Sequence, residues 1–185
     1  MNTLMKIIFR FVTSICYGAN LFILTACASP TDSHPTAVGG VGTTIVAVGH
    51  LGSMVGIPNF YVNGTWGGNS KGWGGGGGGN CCVNLPSNLK NTSITVKWET
   101  CDISHIEFRD NKRVDPNAEC TSAWHEAVVP VHSSEKDPGS HFGLVIHFMP
   151  GNKIEAWTSD KGIGSVDYPG PKYPRGPAPE YAKDE

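Results

Sequence analysis

The chain has 185 residues, 39% of them hydrophobic and 16% charged, which gives it the length of one domain and enough apolar material for a real core. Its 14 Lys and Arg against 16 Asp and Glu leave a formal charge of −2. With no visible cluster of basic residues to meet phosphates, nucleic acid is excluded as an expected partner.

In chain order, Lys6 and Arg10 lead into an uncharged run over residues 11–23 that closes on Leu24-Thr25-Ala26-Cys27. Basic residues, a short apolar run and small residues before a cleavage point are the layout of a secretory signal peptide. The run is too short to cross a bilayer comfortably as a permanent helix. A cysteine directly after Leu24-Thr25-Ala26 resembles the bacterial lipobox, in which the thiol is acylated and the preceding peptide bond is cut. Residues 1–26 are therefore expected to be a lipoprotein signal peptide, with Cys27 the lipidated first residue of the mature chain. Several acyl chains on one residue anchor firmly where a single chain binds only marginally. Ala28 stands where an aspartate would favour inner-membrane retention in bacteria of the enteric type, so the expected location is the periplasmic face of the outer membrane. Loss of Lys6 and Arg10 leaves 12 of the 14 basic residues against 16 acidic ones, a charge of −4.

Residues 27–42 have no apolar periodicity and several turn formers, which predicts a lipidated flexible tether. A β domain is expected over 43–167. Ile94, Val96 and Trp98 alternate with Thr95, Lys97 and Glu99, and Phe142, Leu144, Ile146 and Phe148 alternate with Gly143, Val145, His147 and Met149. This period of two marks strands, and 43–50, 59–63, 125–132 and 153–159 are weaker candidates bounded by Gly, Pro, Asn or Asp. Short strands without intervening helices predict an all-β fold, an antiparallel β-sandwich or open barrel. Asn63-Gly64 after Phe60-Tyr61-Val62 is a turn signal. The segment 64–79 that follows has ten glycines in sixteen residues and is expected to be a long Gly-rich loop, because ordering so many glycines is entropically expensive. It lacks the ending of a phosphate-binding loop. Trp66 and Trp73 supply aromatic surface at its ends. The last eighteen residues, 168–185, contain five prolines and predict an extended or disordered tail.

Of six cysteines, Cys16 leaves with the signal and Cys27 carries lipid, so Cys81, Cys82, Cys101 and Cys120 remain. An even number in an exported chain predicts two disulfides. A bridge between the neighbours Cys81 and Cys82 requires an unfavourable geometry, so each is expected to reach one of Cys101 and Cys120, in either connectivity. Adjacent cysteines lack the usual zinc-ligand spacing, and no metal or other cofactor is expected. Between Cys101 and Cys120 the chain mixes both signs of charge densely. Arg109, Lys112 and Arg113 there are candidate partner-binding residues, together with Trp66 and Trp73.

Val62-Asn63-Gly64, Gly67-Gly68-Asn69, the glycine run, Cys81-Cys82-Val83, Leu85-Pro86, a strand ending at Trp98-Glu99, Val129-Pro130-Val131 and His147-Phe148-Met149-Pro150 occur in that order. This pattern, over roughly 50–159, resembles the bacterial lipoproteins grouped as domain of unknown function 3304. The resemblance implies no established catalytic residues, and it implies a link to type VI secretion, because some members sit beside phospholipase effectors as immunity lipoproteins.

No catalytic residue is expected on the chain's own terms either. His141 and His147 face the same side of a strand but lie roughly 20 Å apart at normal strand rise. His125 and Glu126 are neighbours on opposite faces. No Gly-x-Ser-x-Gly elbow is present, and paired cysteines offer no thiol. The expectation is therefore not an enzyme but a membrane-anchored periplasmic lipoprotein, an immunity protein that binds and neutralises a phospholipase effector. The competing class is an envelope structural lipoprotein, or one that binds a small ligand or glycan by stacking sugar rings on Trp66 and Trp73.

Overall fold

A computed structural model describes residues 40–75, 79–133 and 143–182. The segment expected to be the signal peptide, the expected lipidation residue Cys27, most of the expected tether and His141 lie outside the described residues.

The described residues are all-β, with strands β1 (Gly40–His50), β2 (Val55–Val62), β3 (Thr65–Ser70), β4 (Trp73–Gly75), β5 (Asn80–Pro86) and β6 (Ser93–Asp102). These are followed by β7 (Phe108–Arg109), β8 (Lys112–Arg113), β9 (Thr121–Ser133), β10 (Leu144–Met149) and β11 (Lys153–Thr158). Nine of them form one sheet in the order β3-β2-β6-β9-β11-β10-β1-β4, with β5 also on β1, while β7 and β8 form a separate ribbon. The large sheet coils into an open, nearly closed barrel. Across its gap, Asn80 Nδ2 donates to the Gly67 carbonyl at 2.8 Å. Most ladders are antiparallel, as the hairpin-rich sequence predicts, but β1 with β10 and β11 with β9 run parallel.

The period-two pattern sorts the faces. Ile45 and Ala47, Phe60 and Val62, Ile94, Val96 and Trp98, and Leu144, Ile146 and Phe148 all point inward into one core. Phe60 and Phe148 meet edge to face with ring centroids 5.3 Å apart, a favourable aromatic geometry. Asn63 and Gly64 take positive φ in the turn between β2 and β3, and Asp110 and Asn111 do the same between β7 and β8. Asn-Gly and Asp-Asn suit such turns because short polar side chains and glycine tolerate the left-handed region.

Three expectations need correction. Gly40, Val41 and Gly42, assigned above to the tether, belong to β1 and pair with Pro86, Leu85 and Asn84. The glycine-rich segment is not wholly a loop, since β3 and β4 fall within it. Its glycines are needed for close approach: a Cβ on Gly67 would run into the fully buried Phe60 ring, and one on Gly72 into the carbonyls of Val55 and Gly52. Finally, the disulfides join Cys81 to Cys82 and Cys101 to Cys120, so neither of the first pair reaches the second. Cys81 and Cys82 sit on β5 beside β1, whereas Cys101 and Cys120 flank the excursion that leaves β6 and returns to β9.

The tail is extended, as its prolines require, but over residues 168–182 it lies against the barrel. Ser53 N donates to the Pro179 carbonyl, Met54 N to that of Glu180, and Ala182 N to that of Leu51, at 2.8, 3.1 and 3.0 Å. Gly75 N donates to the Tyr173 hydroxyl at 2.7 Å.

Candidate functional site

Two places gather exposed or unusually placed side chains. The first is the outward face of β3, β2, β6 and β9. Strand register sets Trp66 opposite Tyr61, Tyr61 opposite Lys97, and Lys97 opposite Glu126, one row across four strands. Trp124 lies in the next row, opposite Glu99. Its ring is 6.3 Å from that of Tyr61, and the Lys97 ammonium stands 5.3 Å from the indole centroid, within cation–π range. Trp66 and Trp124 are each 50% exposed and Val128, further along β9, is 71% exposed. A shallow cleft of about 420 Å³ opens among Tyr61, Thr95, Lys97, Trp124 and Glu126.

At one end of this face the β6–β9 ladder runs into the excursion closed by Cys101–Cys120. The excursion carries the β7–β8 ribbon with Arg109 and Lys112, and it exposes Phe108 and Val114 as well as its charges. Arg113 is partly committed, because its Nη1 donates to the Ala118 carbonyl at 2.8 Å. Arg109 pairs with Glu107 at 3.3 Å in a solvated contact worth little by itself.

The second place is the outer side of β1, β10 and β11, where the C-terminal tail packs. Parallel pairing sets Val48 opposite His147, so His50, two residues further on, shares that face. Tyr168 closes over it, and Val48, Val145 and Tyr168 form a small second core backed by Trp157, Ile163 and Tyr173. His147, on the face that alternation alone would leave to solvent, is thereby fully buried. Its Nδ1 is 2.9 Å from His50 Nε2, and its Nε2 is 2.9 Å from the Tyr168 hydroxyl.

Burial, with the neighbouring His50, pushes His147 down to about 3. It lowers His50 too, against an opposing pull from Glu155, and holds the Tyr168 hydroxyl well above its usual range. All three are neutral at neutral pH. Proton positions follow from the network by inference. Among the described residues His147 is the sole hydrogen-bond partner of the buried Tyr168 hydroxyl, so that hydroxyl donates to His147 Nε2. His147 Nδ1–H then donates to His50 Nε2, which leaves His50 with its proton on Nδ1.

His50 lies directly opposite Trp73 across β1 and β4. The indole Nε1 of Trp73 is buried and has no hydrogen-bond partner among the described residues, an arrangement that carries a desolvation penalty of about 1–3 kcal/mol. Both side chains line a cleft of about 910 Å³ between the sheet and the tail, with Glu155 and Met149 on the sheet side and Lys172 and Tyr181 on the tail side.

The structure therefore separates the two tryptophans singled out in the sequence. Trp66 stands on the outward sheet face and Trp73 lines the cleft under the tail. His125 packs inward, stacked on Trp98 and bonded to Thr100 Oγ1 at 2.9 Å, while Glu126 faces out, as their adjacency requires. Sequence reasoning missed Tyr61, Lys97, Trp124 and Val128 as a surface. The alternation of Trp124, Glu126 and Val128 along β9 was the available signal. It also missed the triad of His50, His147 and Tyr168, which depends on a parallel ladder and a docked tail.

No curated protein and no solved structure is similar enough to the chain to count as a match. A family profile does match, over residues 52–156, which takes in the sheet from β2 through most of β11. The barrel, its glycine-rich strands and its cysteine pairs thus belong to a chain that is a member of the family described as protein of unknown function DUF3304.

Proposed function

We propose that the chain is a lipid-anchored periplasmic binding protein, not an enzyme, and that it neutralises a phospholipase effector delivered by type VI secretion. The observation that carries the binding reading is the outward face of β3, β2, β6 and β9, where Tyr61, Trp66, Trp124 and Val128 surround Lys97 and Glu126. Tryptophan and tyrosine are among the residue types that dominate binding energy at protein interfaces. The excursion closed by Cys101–Cys120 adds exposed apolar and charged groups on a base held by one covalent link, which lowers the ordering cost of binding. The choice of partner rests on the resemblance to immunity lipoproteins and on the lipobox at Cys27. A blocker of a lipid-cleaving enzyme gains local concentration from sharing its membrane.

The test is co-purification of the full chain with the product of the adjacent gene, together with a protection assay in cells that receive that product in the periplasm. A one-to-one complex and survival that depends on the chain are the expected results. Equal survival with and without the chain, or no binding at micromolar concentrations, would overturn the immunity reading.

A further inference from the structure

We propose that the cleft beneath the C-terminal tail binds an uncharged amphiphile, a small molecule that carries an amide or ester carbonyl on an apolar body. The site is separate from the proposed interface: it is formed by β1, β4, β10, β11 and the tail and shares no lining residue with the cleft on the outward sheet face.

The head group follows from the donors. Trp73 and His50 stand opposite one another across β4 and β1, so their side chains share one face of the sheet. Trp73 Nε1–H is buried without a partner among the described residues, and His50 keeps its proton on Nδ1 because Nε2 accepts from His147. Two neutral donors call for acceptor lone pairs, and a carbonyl oxygen carries two. They offer nothing to an ammonium group, which only donates. A carboxylate or phosphate is disfavoured by charge. Lys153 is engaged in an interaction of its own, which leaves Lys172 and Glu155, one charge of each sign, and no surplus to offset the burial of an ion. Glu155 is on the sheet side, where its charge already acts on His50, whereas Lys172 is exposed on the tail. The body follows from the walls: Met149 and Pro150 on one side and Pro171, Pro174 and Pro179 on the other are apolar. A cleft of about 910 Å³ lies within the size range that holds small organic ligands, and an apolar lining with a few convergent polar groups is their usual setting.

The experiment titrates the purified full chain with N,N-dimethyloctanamide, whose head only accepts. Sodium octanoate and octylammonium chloride carry a similar body on an anionic and a cationic head, and N,N-dimethylacetamide is the head alone. The readouts are calorimetry and the Trp73 indole N–H resonance, assigned by its disappearance in Trp73→Phe. Expected are saturation by the octanamide with a downfield shift of that resonance, and binding at least about tenfold weaker for each comparison compound. Trp73→Phe should weaken the octanamide about two- to tenfold. Glu155→Gln, which keeps an acceptor for Trp157 Nε1, should narrow the preference for the octanamide over octanoate. Should Trp73→Phe fail to fold, calorimetry on the unmodified chain and on Glu155→Gln decides. The proposal is overturned if the octanamide does not saturate, or if octanoate, octylammonium or dimethylacetamide binds as tightly. It is equally overturned if folded Trp73→Phe binds the octanamide undiminished, or if Glu155→Gln leaves the preference over octanoate unchanged.

Discussion

His50 and His147, 97 residues apart in the chain, share a hydrogen bond of 2.9 Å between Nε2 and Nδ1. His147 is sealed from water, with Tyr168 capping its ring, and His50 is largely buried beside it at the edge of the cleft under the tail. The folded protein therefore holds two histidines in their neutral form at a pH where the unfolded chain begins to protonate them.

That difference has a definite sign. A histidine with a lowered folded pKa leaves stability untouched above about pH 6.5, and stability falls as the pH drops toward about 3, where His147 itself titrates. His147 contributes a slope of up to about 1.4 kcal/mol per pH unit in that window, and His50, lowered by its own burial, acts in the same direction. Urea unfolding between about pH 7 and about pH 4 should show this slope reduced in His147→Gln. Identical slopes in the two proteins would refute the assignment.

The bridge between Cys101 and Cys120 spans a sequence separation of 19, and loop-closure entropy assigns it about 3 kcal/mol. Cys101→Ser with Cys120→Ser should lower stability by that amount. Cys81 and Cys82 are adjacent, so their bridge closes no chain loop, and replacing both with serine should move the melting temperature far less. Non-reduced peptide mapping that links Cys81 or Cys82 to Cys101 or Cys120 would contradict the pairing described here.

Gly67→Ala should destabilise by about 1–3 kcal/mol, since the new methyl group meets the Phe60 ring in the core. Gly162→Ala, where nothing lies within 4 Å, is the matched control and should change little. Thermal unfolding of both variants checks the contrast.

On the proposed interface, Trp124→Ala should weaken effector binding by about 2 kcal/mol or more, as hot-spot tryptophans do, and Trp66→Ala by a similar or smaller amount. Joint charge reversal at Arg109, Lys112 and Arg113 should act mainly on the association rate and its salt dependence. Stopped-flow association at two ionic strengths separates the effects. Unchanged affinity in Trp124→Ala would remove the outward sheet face from the interface.

Cys27→Ser should abolish incorporation of labelled fatty acid and release the protein from the membrane fraction. Label retained on the variant would sink the lipobox reading, and fractionation of the unmodified protein tests the outer-membrane assignment.

Every strand predicted from alternation has a counterpart in the barrel, because a sheet with one buried face imposes period two on residues such as Ile94, Val96 and Trp98. The glycine-rich strands were illegible for the same reason. Gly67 and Gly72 leave no hydrophobic alternation, and what orders them is contact with Phe60 and with the Val55 carbonyl, partners that composition does not name. The cysteine pairing was misjudged because an argument from average bridge geometry was set against positions that only the fold supplies. The cleft with His50 and Trp73 was equally hidden: its floor depends on which strands are neighbours, and its roof on a proline-rich segment that looks solvated until Tyr168, Tyr173 and Pro179 find their places.

The order β9-β11-β10-β1 gives the β10–β11 hairpin a singular position. Without it, the sheet falls into two ribbons, one of β3, β2, β6 and β9 and one of β1, β4 and β5, each with an edge of unpaired N–H and C=O groups. The hairpin joins them through the two parallel ladders, so both must wait for a late stretch of chain, a topology that slows folding. A truncation close to the C-terminus is usually the mildest kind of lesion. In this protein one that reaches back to Leu144 would remove the piece that makes one barrel out of two aggregation-prone halves.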